Sequence, residues 1–374
     1  MGFFNRRNRE DANSNINHIH GTRRSRHVDS TYSMATRPSF GQWLKVTWLD
    51  IFTFVIMGVI GLGIYEAPPA PTRSFAVTFP SDGETVYPEF AYPLRKEIIP
   101  IWLAAFLAAV VPIIGILVMQ IRARSFWDVN NGIIGLLYSL ISAAVFQVFI
   151  KFLIGGLRPH FLDVCKPDIS LAQNGGGPYN AAGFDQLYYT REICTGDPKE
   201  INDSLESFPS GHSTAAFAGF VYLYLYLNAK LKVFSNYHAA MWKMIVIYIP
   251  ILGAVLIAGA LTIDEYHNWY DVCAGAVIGI VMAFSSYRMC YAAIWDWRWN
   301  HIPLNRSQPC LYTYEGVELV DAMWTRKAGW GVGPSPYHDK HATNGHGMYS
   351  SGAAGPGIPR KAVANSQRRG DDMV

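Results

Sequence analysis

The stretch Ile98–Ile121, IIPIWLAAFLAAVVPIIGILVMQI, runs for twenty-four residues without one Asp, Glu, Lys or Arg. As a helix it is long enough to cross the roughly 30 Å hydrocarbon core of a bilayer, which takes about 17–25 residues. Five more windows share this character: Trp43–Tyr65, with Lys45 and Asp50 in its opening turns, Val129–Ile150, Ser207–Ala229, Met244–Ile263 and the shorter Val272–Tyr287. None presents the polar face that a helix of a soluble protein turns to water. The windows predict an all-α, polytopic membrane protein, a bundle of six transmembrane helices. Half of the 374 residues are hydrophobic and 16% are charged, against about 25% charged in a soluble domain. That balance rules out a soluble multidomain enzyme, and with it disordered and collagenous chains. Five cysteines are too few for a disulfide scaffold, and a net charge of +3 argues against a nucleic-acid partner.

The few charges sort by side, because Lys and Arg in short loops mark the cytosolic face. Residues 1–42 carry seven Arg against three acidic residues and read as a disordered, basic, cytosolic tail that lacks the apolar core of a signal peptide. Six spans put Arg122 and Arg124, the Lys230/Lys232/Lys243 loop and the C-terminal tail on the same side. The other side receives residues 66–97, with three basic and five acidic side chains, and 155–206, with four basic and eight acidic. The membrane domain is expected to cover 43–295. Residues 296–374, rich in Gly, Ser, Pro and His, read as a largely disordered cytosolic tail.

Ionisable groups at span ends are costly and therefore informative. Three polar clusters fall there, all on the non-cytosolic side: Lys151 to Arg158-Pro159, closing the third span; Ser207-Phe-Pro-Ser-Gly-His-Ser213, opening the fourth; and Asp264 to Asp271, between the fifth and sixth. Lys151 offers a point charge and Arg158 a planar fork of donors, a combination suited to phosphate. Pro209 is placed to start a helix whose N-terminal amides, at Ser210, Gly211 and His212, would attract an anion. Gly211 permits close backbone approach and the Ser210 hydroxyl adds a donor. His267 and Asp271 stand four apart, on one face of a helix. Asp271 could then hold one ring nitrogen of His267 and leave the other to attack phosphorus, with His212 protonating the leaving oxygen. Together these groups make a phosphoryl-transfer site that calls for no metal and no cofactor.

The spacing Lys-x6-Arg-Pro, the tetrapeptide Pro-Ser-Gly-His and a final His-x3-Asp resemble the three signature motifs of the type 2 phosphatidic acid phosphatase superfamily. Lys151–Cys165 and Glu206–His212 resemble more closely its integral-membrane lipid phosphate phosphatases, including the fungal diacylglycerol pyrophosphate phosphatases. The resemblance covers about residues 43–295. It implies dephosphorylation of phosphatidate, lysophosphatidate or diacylglycerol pyrophosphate without a metal. His267 would be the nucleophile of a phosphohistidine intermediate, Asp271 its orienting partner and His212 the general acid. Lys151, Arg158, Ser210 and Gly211 would bind the phosphate oxygens. The partners implied are a membrane lipid substrate and the bilayer, with both termini cytosolic and the site luminal or extracellular; vacuole, endoplasmic reticulum and Golgi all fit.

One position departs from the pattern. The third motif of the family begins Ser-Arg, with the Arg six residues before the His; here Ala260 and Leu261 stand in those places. Loss of one charged donor typically costs about 10²–10³ in rate, which His160, Arg191 or a rearranged Lys would have to offset. Two alternatives follow: a catalytically impaired lipid-phosphate binder, and a headgroup transferase that uses the same phosphohistidine route. Cys165 and Cys194 share the outer loop between the first two motifs, a compartment that permits disulfides if luminal, and a bridge between them is expected.

Overall fold

The computed structural model describes residues 37–67, 74–77, 86–173, 187–236, 238–306 and 310. The expected tails, 1–42 and 296–374, fall mostly outside these. Six long helices organise the described chain: α1 (Phe40–Tyr65), α2 (Ile101–Ala123), α3 (Phe126–Leu153), α4 (Gly211–Leu231), α5 (Met241–Ile263) and α6 (Trp269–Cys290). The architecture is all-α and membrane-integral. Strand is confined, among the described residues, to the two-residue pair β1 (Phe75–Ala76) and β2 (Tyr188–Tyr189).

Each expected window forms one of these helices. Five of them, α1, α2, α3, α5 and α6, are long and apolar enough to cross a membrane. The remaining one, α4, covers the window Ser207–Ala229 only from Gly211 onward and stands apart in composition, with Gly211, His212, Ser213 and Thr214 at one end and Asn228 and Lys230 at the other. It is also the centre of the bundle. α2, α3, α5 and α6 all pack on it, and from His212 to Leu231 every residue but Ala215 and Phe217 is buried. A helix enclosed by its neighbours has little lipid to face, so it can carry polar groups the outer helices cannot. By contrast, α1 packs on α3 and buries only Thr47 and Asp50.

Close approach of α6 to α4 depends on glycine. A Cβ on Gly275 would stand 2.5 Å from the Ser210 carbonyl oxygen, so no side chain fits without parting the helices. Gly275→Ala should lower the melting midpoint of the detergent-solubilised protein by the equivalent of about 1–3 kcal/mol. Gly253→Ala serves as the comparison, since its Cβ would meet only Phe220 at 4.0 Å and the midpoint should hold.

Two folded ends close the bundle. At one, segments from 75–77, 86–90, 157–173 and 187–205 form a small cap around Phe75, Phe161, Leu162, Val164, Ile193 and Leu205. Cys165 and Cys194 are joined in a disulfide inside it. At the other end the chain after α6 turns back, with Ala292 N–H donating to Ile302 O (3.0 Å) and Leu304 N–H to Cys290 O (2.9 Å). Here the sequence reading needs correction. Lys230 and Lys232 are not charges of a surface loop; both are buried. Lys230 Nζ donates to Asp128 Oδ1 at 2.5 Å and to the His301 carbonyl at 3.2 Å. Lys232 Nζ donates to Trp297 O, Asn300 Oδ1 and His301 Nδ1 at 2.5, 2.7 and 2.7 Å. Buried ammonium groups persist only when their protons find acceptors, and the segment 291–304 supplies most of them.

Candidate active site

The three polar clusters meet at the capped end. Lys151 lies in the last turn of α3, after which Gly155 and Gly156 take positive φ values of 49° and 132°. The second is a conformation that side chains rarely adopt. It turns the chain alongside the second cluster: Gly156 N–H donates to Leu205 O (3.0 Å), Ser207 N–H to Gly156 O (3.0 Å) and Arg158 N–H to Ser204 O (2.9 Å). The third cluster is tied in by the Asn268 side-chain amide, which donates to Leu157 O at 3.1 Å.

α4 begins at Gly211 with Ser210 as its N-cap, and the Ser210 hydroxyl accepts from Ser213 N–H at 3.4 Å. The Ser210 amide is not a ligand donor as expected, because it donates to the Asp271 carbonyl at 3.1 Å. That bond joins the N-termini of α4 and α6 and leaves the amides of Gly211 and His212 as first-turn donors. A Cβ on Gly211 would meet only Ile101 and Gln147, at 3.6 and 3.8 Å. Packing within the protein therefore does not demand glycine at 211, whereas close approach of a ligand would.

His267, buried at the entry to α6, has its Nδ1 3.5 Å from Ser207 Oγ and 3.6 Å from Asp271 Oδ2. The Ser207 hydroxyl donates to Asp271 Oδ2 at 2.5 Å, so Nδ1–H is directed through Ser207 to the carboxylate and Nε2 keeps its lone pair. Asp271 reaches the ring largely through this hydroxyl because the same oxygen also caps α6, accepting from Asn268 N–H at 3.0 Å. Burial lowers the His267 ring to about 4, against the pull of Asp271, with Arg158 and Lys151 adding to the lowering. At neutral pH the ring is uncharged. His212 faces it from α4, ring centroids 6.2 Å apart.

Both cations are held by carboxylates. Lys151 Nζ stands 3.5 Å from Glu206 and Arg158 Nη2 2.8 Å from Asp203, while Arg158 Nε is a buried donor without a hydrogen-bond partner. Burial pushes the Glu206 carboxyl up, with Lys151 opposing. Leu261, at the position the resemblance reserves for Arg, is fully enclosed, and its carbonyl accepts from Tyr266 and His267 N–H. Of the groups expected to stand in for that Arg, Arg191 is turned to Asn202 Oδ1 (2.8 Å) in the cap, and His160 Nδ1 lies 3.2 Å from the Glu265 carbonyl. The cation on the third cluster's loop is instead Arg95, which reaches the Ile263 carbonyl at 3.3 Å and Glu265 at 3.5 Å.

Residues 132–295 match the PAP2 superfamily. Over 305 residues the chain is 30% identical to a PA-phosphatase related-family protein of Dictyostelium discoideum, covering 81% of this chain and 86% of that one. The chain belongs to the PAP2 superfamily. It is also 33% identical to lipid phosphate phosphatase 1 of Arabidopsis thaliana over 210 residues, 56% of this chain and 60% of the plant protein. With diacylglycerol pyrophosphate phosphatase 1 of Saccharomyces cerevisiae it shares 31% identity over 252 residues, 66% and 80% of the two chains. No solved structure matches. As a PAP2 member the protein is a phosphatase, and the matched segment holds all three polar clusters. Two groups that sequence reasoning missed flank this PAP2 site. Ser207 lies inside the second cluster, where spacing cannot reveal a hydroxyl's partner. Glu97, whose Oε1 is 3.9 Å from His212 Nε2, lies outside all three.

Proposed function

We propose that the protein removes phosphate from lipid phosphomonoesters and pyrophosphates, such as phosphatidate, lysophosphatidate and diacylglycerol pyrophosphate, through a phosphohistidine on His267 and without a metal. The observation that carries this reading is a pair of buried histidines facing each other, one with Nδ1 engaged and Nε2 available. Nε2 of His267 attacks phosphorus, forming the N–P bond as the P–O bond breaks, and His212 gives a proton to the departing oxygen. Water then attacks the phosphohistidine, His212 takes its proton, and inorganic phosphate leaves. The two rings, with centroids 6.2 Å apart, border one space, and a phosphoryl group seated beside them would bring phosphorus to the near-attack distance of about 3–3.5 Å from His267 Nε2. Lys151, Arg158, the Ser210 hydroxyl and the amides of Gly211 and His212 bind its oxygens.

The names of the plant and yeast relatives support a lipid phosphate substrate. Its headgroup would reach the site laterally with the acyl chains still in the bilayer. We place both termini in the cytosol, with six spans and the site on the luminal or exterior side; the disulfide beside the site supports this, since such bonds persist in oxidising compartments.

The test is phosphate release from phosphatidate and diacylglycerol pyrophosphate in mixed micelles with excess chelator, combined with a rapid alkaline denaturing quench that preserves phosphohistidine. Labelled phosphoenzyme during turnover is the expected result. Loss of activity on chelation, or turnover without phosphoenzyme, would overturn the mechanism. The enclosure of Leu261 favours a second reading, a lipid-phosphate binder, which predicts phosphatidate binding with neither turnover nor phosphoenzyme. Gly211→Ala separates site from scaffold. The variant should keep its melting midpoint and lose about 10–100-fold in kcat/KM, as expected when an anion is pushed off backbone donors.

A further inference from the structure

We propose that Glu97 is a positioning carboxylate for His212, its charge facing the proton-carrying Nε2 from 3.9 Å, whereas Asp271 stands at the ring nitrogen of His267 opposite the reacting one. This rests on the reading of His212 as the acid. Glu97 lies in the loop ahead of α2, outside the three clusters, and its side chain is 22% exposed beside a His212 side chain that is 6% exposed. His212 Nε2 is buried without a hydrogen-bond partner. The Glu97 carboxylate, 3.9 Å away, is the one acid within ion-pair distance of it among the described residues.

Glu97 is not on a loose loop. Tyr92 N–H donates to Pro159 O (3.1 Å) and Leu94 N–H to Asp163 Oδ2 (2.8 Å), which fastens the segment to the first cluster. Ile98 N–H donates to Asp264 Oδ2 (3.1 Å) and Arg95 to Ile263 O (3.3 Å), which fastens it to the loop carrying His267. Residues 92–98 thus form a strap across the site, and the strap delivers one carboxylate to one nitrogen.

The chemistry gives that carboxylate a task. A general acid must hold a proton, burial disfavours the charged imidazolium, and an opposite charge within about 4–6 Å restores it. As His267 Nε2 bonds to phosphorus and the ester P–O bond breaks, the proton on His212 Nε2 passes to the departing oxygen. Glu97 then faces a neutral ring, which is ready to take a proton from the attacking water. The demand for that proton depends on the leaving group. Phosphatidate expels the strongly basic alkoxide of diacylglycerol. Diacylglycerol pyrophosphate expels a weakly basic phosphate oxygen that can depart unprotonated.

The experiment measures both substrates in the same micelles with the full chain, as wild type, Glu97→Gln, Glu97→Asp and His212→Ala. Glu97→Gln should slow phosphatidate hydrolysis about 10–100-fold and diacylglycerol pyrophosphate hydrolysis less than about 3-fold, the signature of impaired acid catalysis. Glu97→Asp should recover part of the phosphatidate rate, and it also serves if the Gln variant does not fold. If His212→Ala shows the selective loss and the Glu97 variants slow both substrates equally or neither, the role of Glu97 is overturned and the site reading stands. If His212→Ala shows no selectivity, the assignment of His212 falls, and the proposal with it.

Discussion

His267→Ala should lower phosphatidate turnover by roughly 10⁴-fold or more, the scale seen when a covalent nucleophile is removed from a concerted set of groups, and should leave no trappable phosphoenzyme. The loss should appear in kcat. Lys151, Arg158 and the first turn of α4 remain in place, so binding of the headgroup persists and KM changes little. The fold should tolerate the change because burial keeps the ring neutral at pH 7, and its removal strands no charge. Asp271→Asn makes an informative companion. It keeps an oxygen for the Asn268 N–H that caps α6 but removes the charge that Ser207 and His267 face, and a fall of about 10²–10⁴ is expected from losing a histidine's orienting carboxylate. Measured turnover by His267→Ala near the wild-type rate would end the phosphohistidine reading outright.

Asp128→Asn should be the most destabilising single change in the bundle, costing about 3–5 kcal/mol, as expected when one partner of a buried ion pair is removed. Asp128 and Lys230 have no solvent exposure. The carboxylate also accepts from Tyr226 OH at 2.7 Å, Gln120 Nε2 at 2.6 Å and Tyr291 OH at 3.1 Å, so α2, α3, α4 and the residue after α6 converge on one group. Neutralising it takes the opposite charge away from the buried Lys230 ammonium, which keeps the His301 carbonyl as an acceptor. The double variant Asp128→Asn/Lys230→Met should recover a large part of the loss, because no uncompensated charge is left. Melting midpoints in one detergent compare the three proteins. A single variant that melts like wild type would show that water reaches this end of the bundle.

How much of this was legible in the residues differs from one end of the molecule to the other. The helices could be read because an uncharged run of some twenty residues has few other uses. The partners at the capped end could be read as clusters, since Lys151, Arg158, His212 and His267 stand at span ends where charge needs a reason. What could not be read is who touches whom. Ser207 gave no sign that its hydroxyl stands between His267 and Asp271. Glu97 looked like one of several loop acids because its value lies in a strap fastened by backbone N–H groups, which are the same in every sequence. Lys230 and Lys232 misled for a physical reason: a lysine at the end of an apolar run normally reaches water. Only the fold of 291–304 over them, a segment without periodicity, makes them interior.

The enclosed helix α4 also acts as a ruler. The eighteen residue steps from His212 to Lys230, at 1.5 Å each, separate the site from the Asp128–Lys230 pair by roughly 27 Å, and each end is fixed to different neighbours. A helix neither stretches nor compresses appreciably, so the depth of the phosphate site is a length counted in residues and not set by the thickness of the surrounding lipid. Adding or deleting one residue in α4 would also rotate one end by about 100° relative to the other, since 3.6 residues make a turn. His212 and Lys230 could not then both meet their partners. Chain length in this helix is thus as constrained as the identity of any residue in the site it carries.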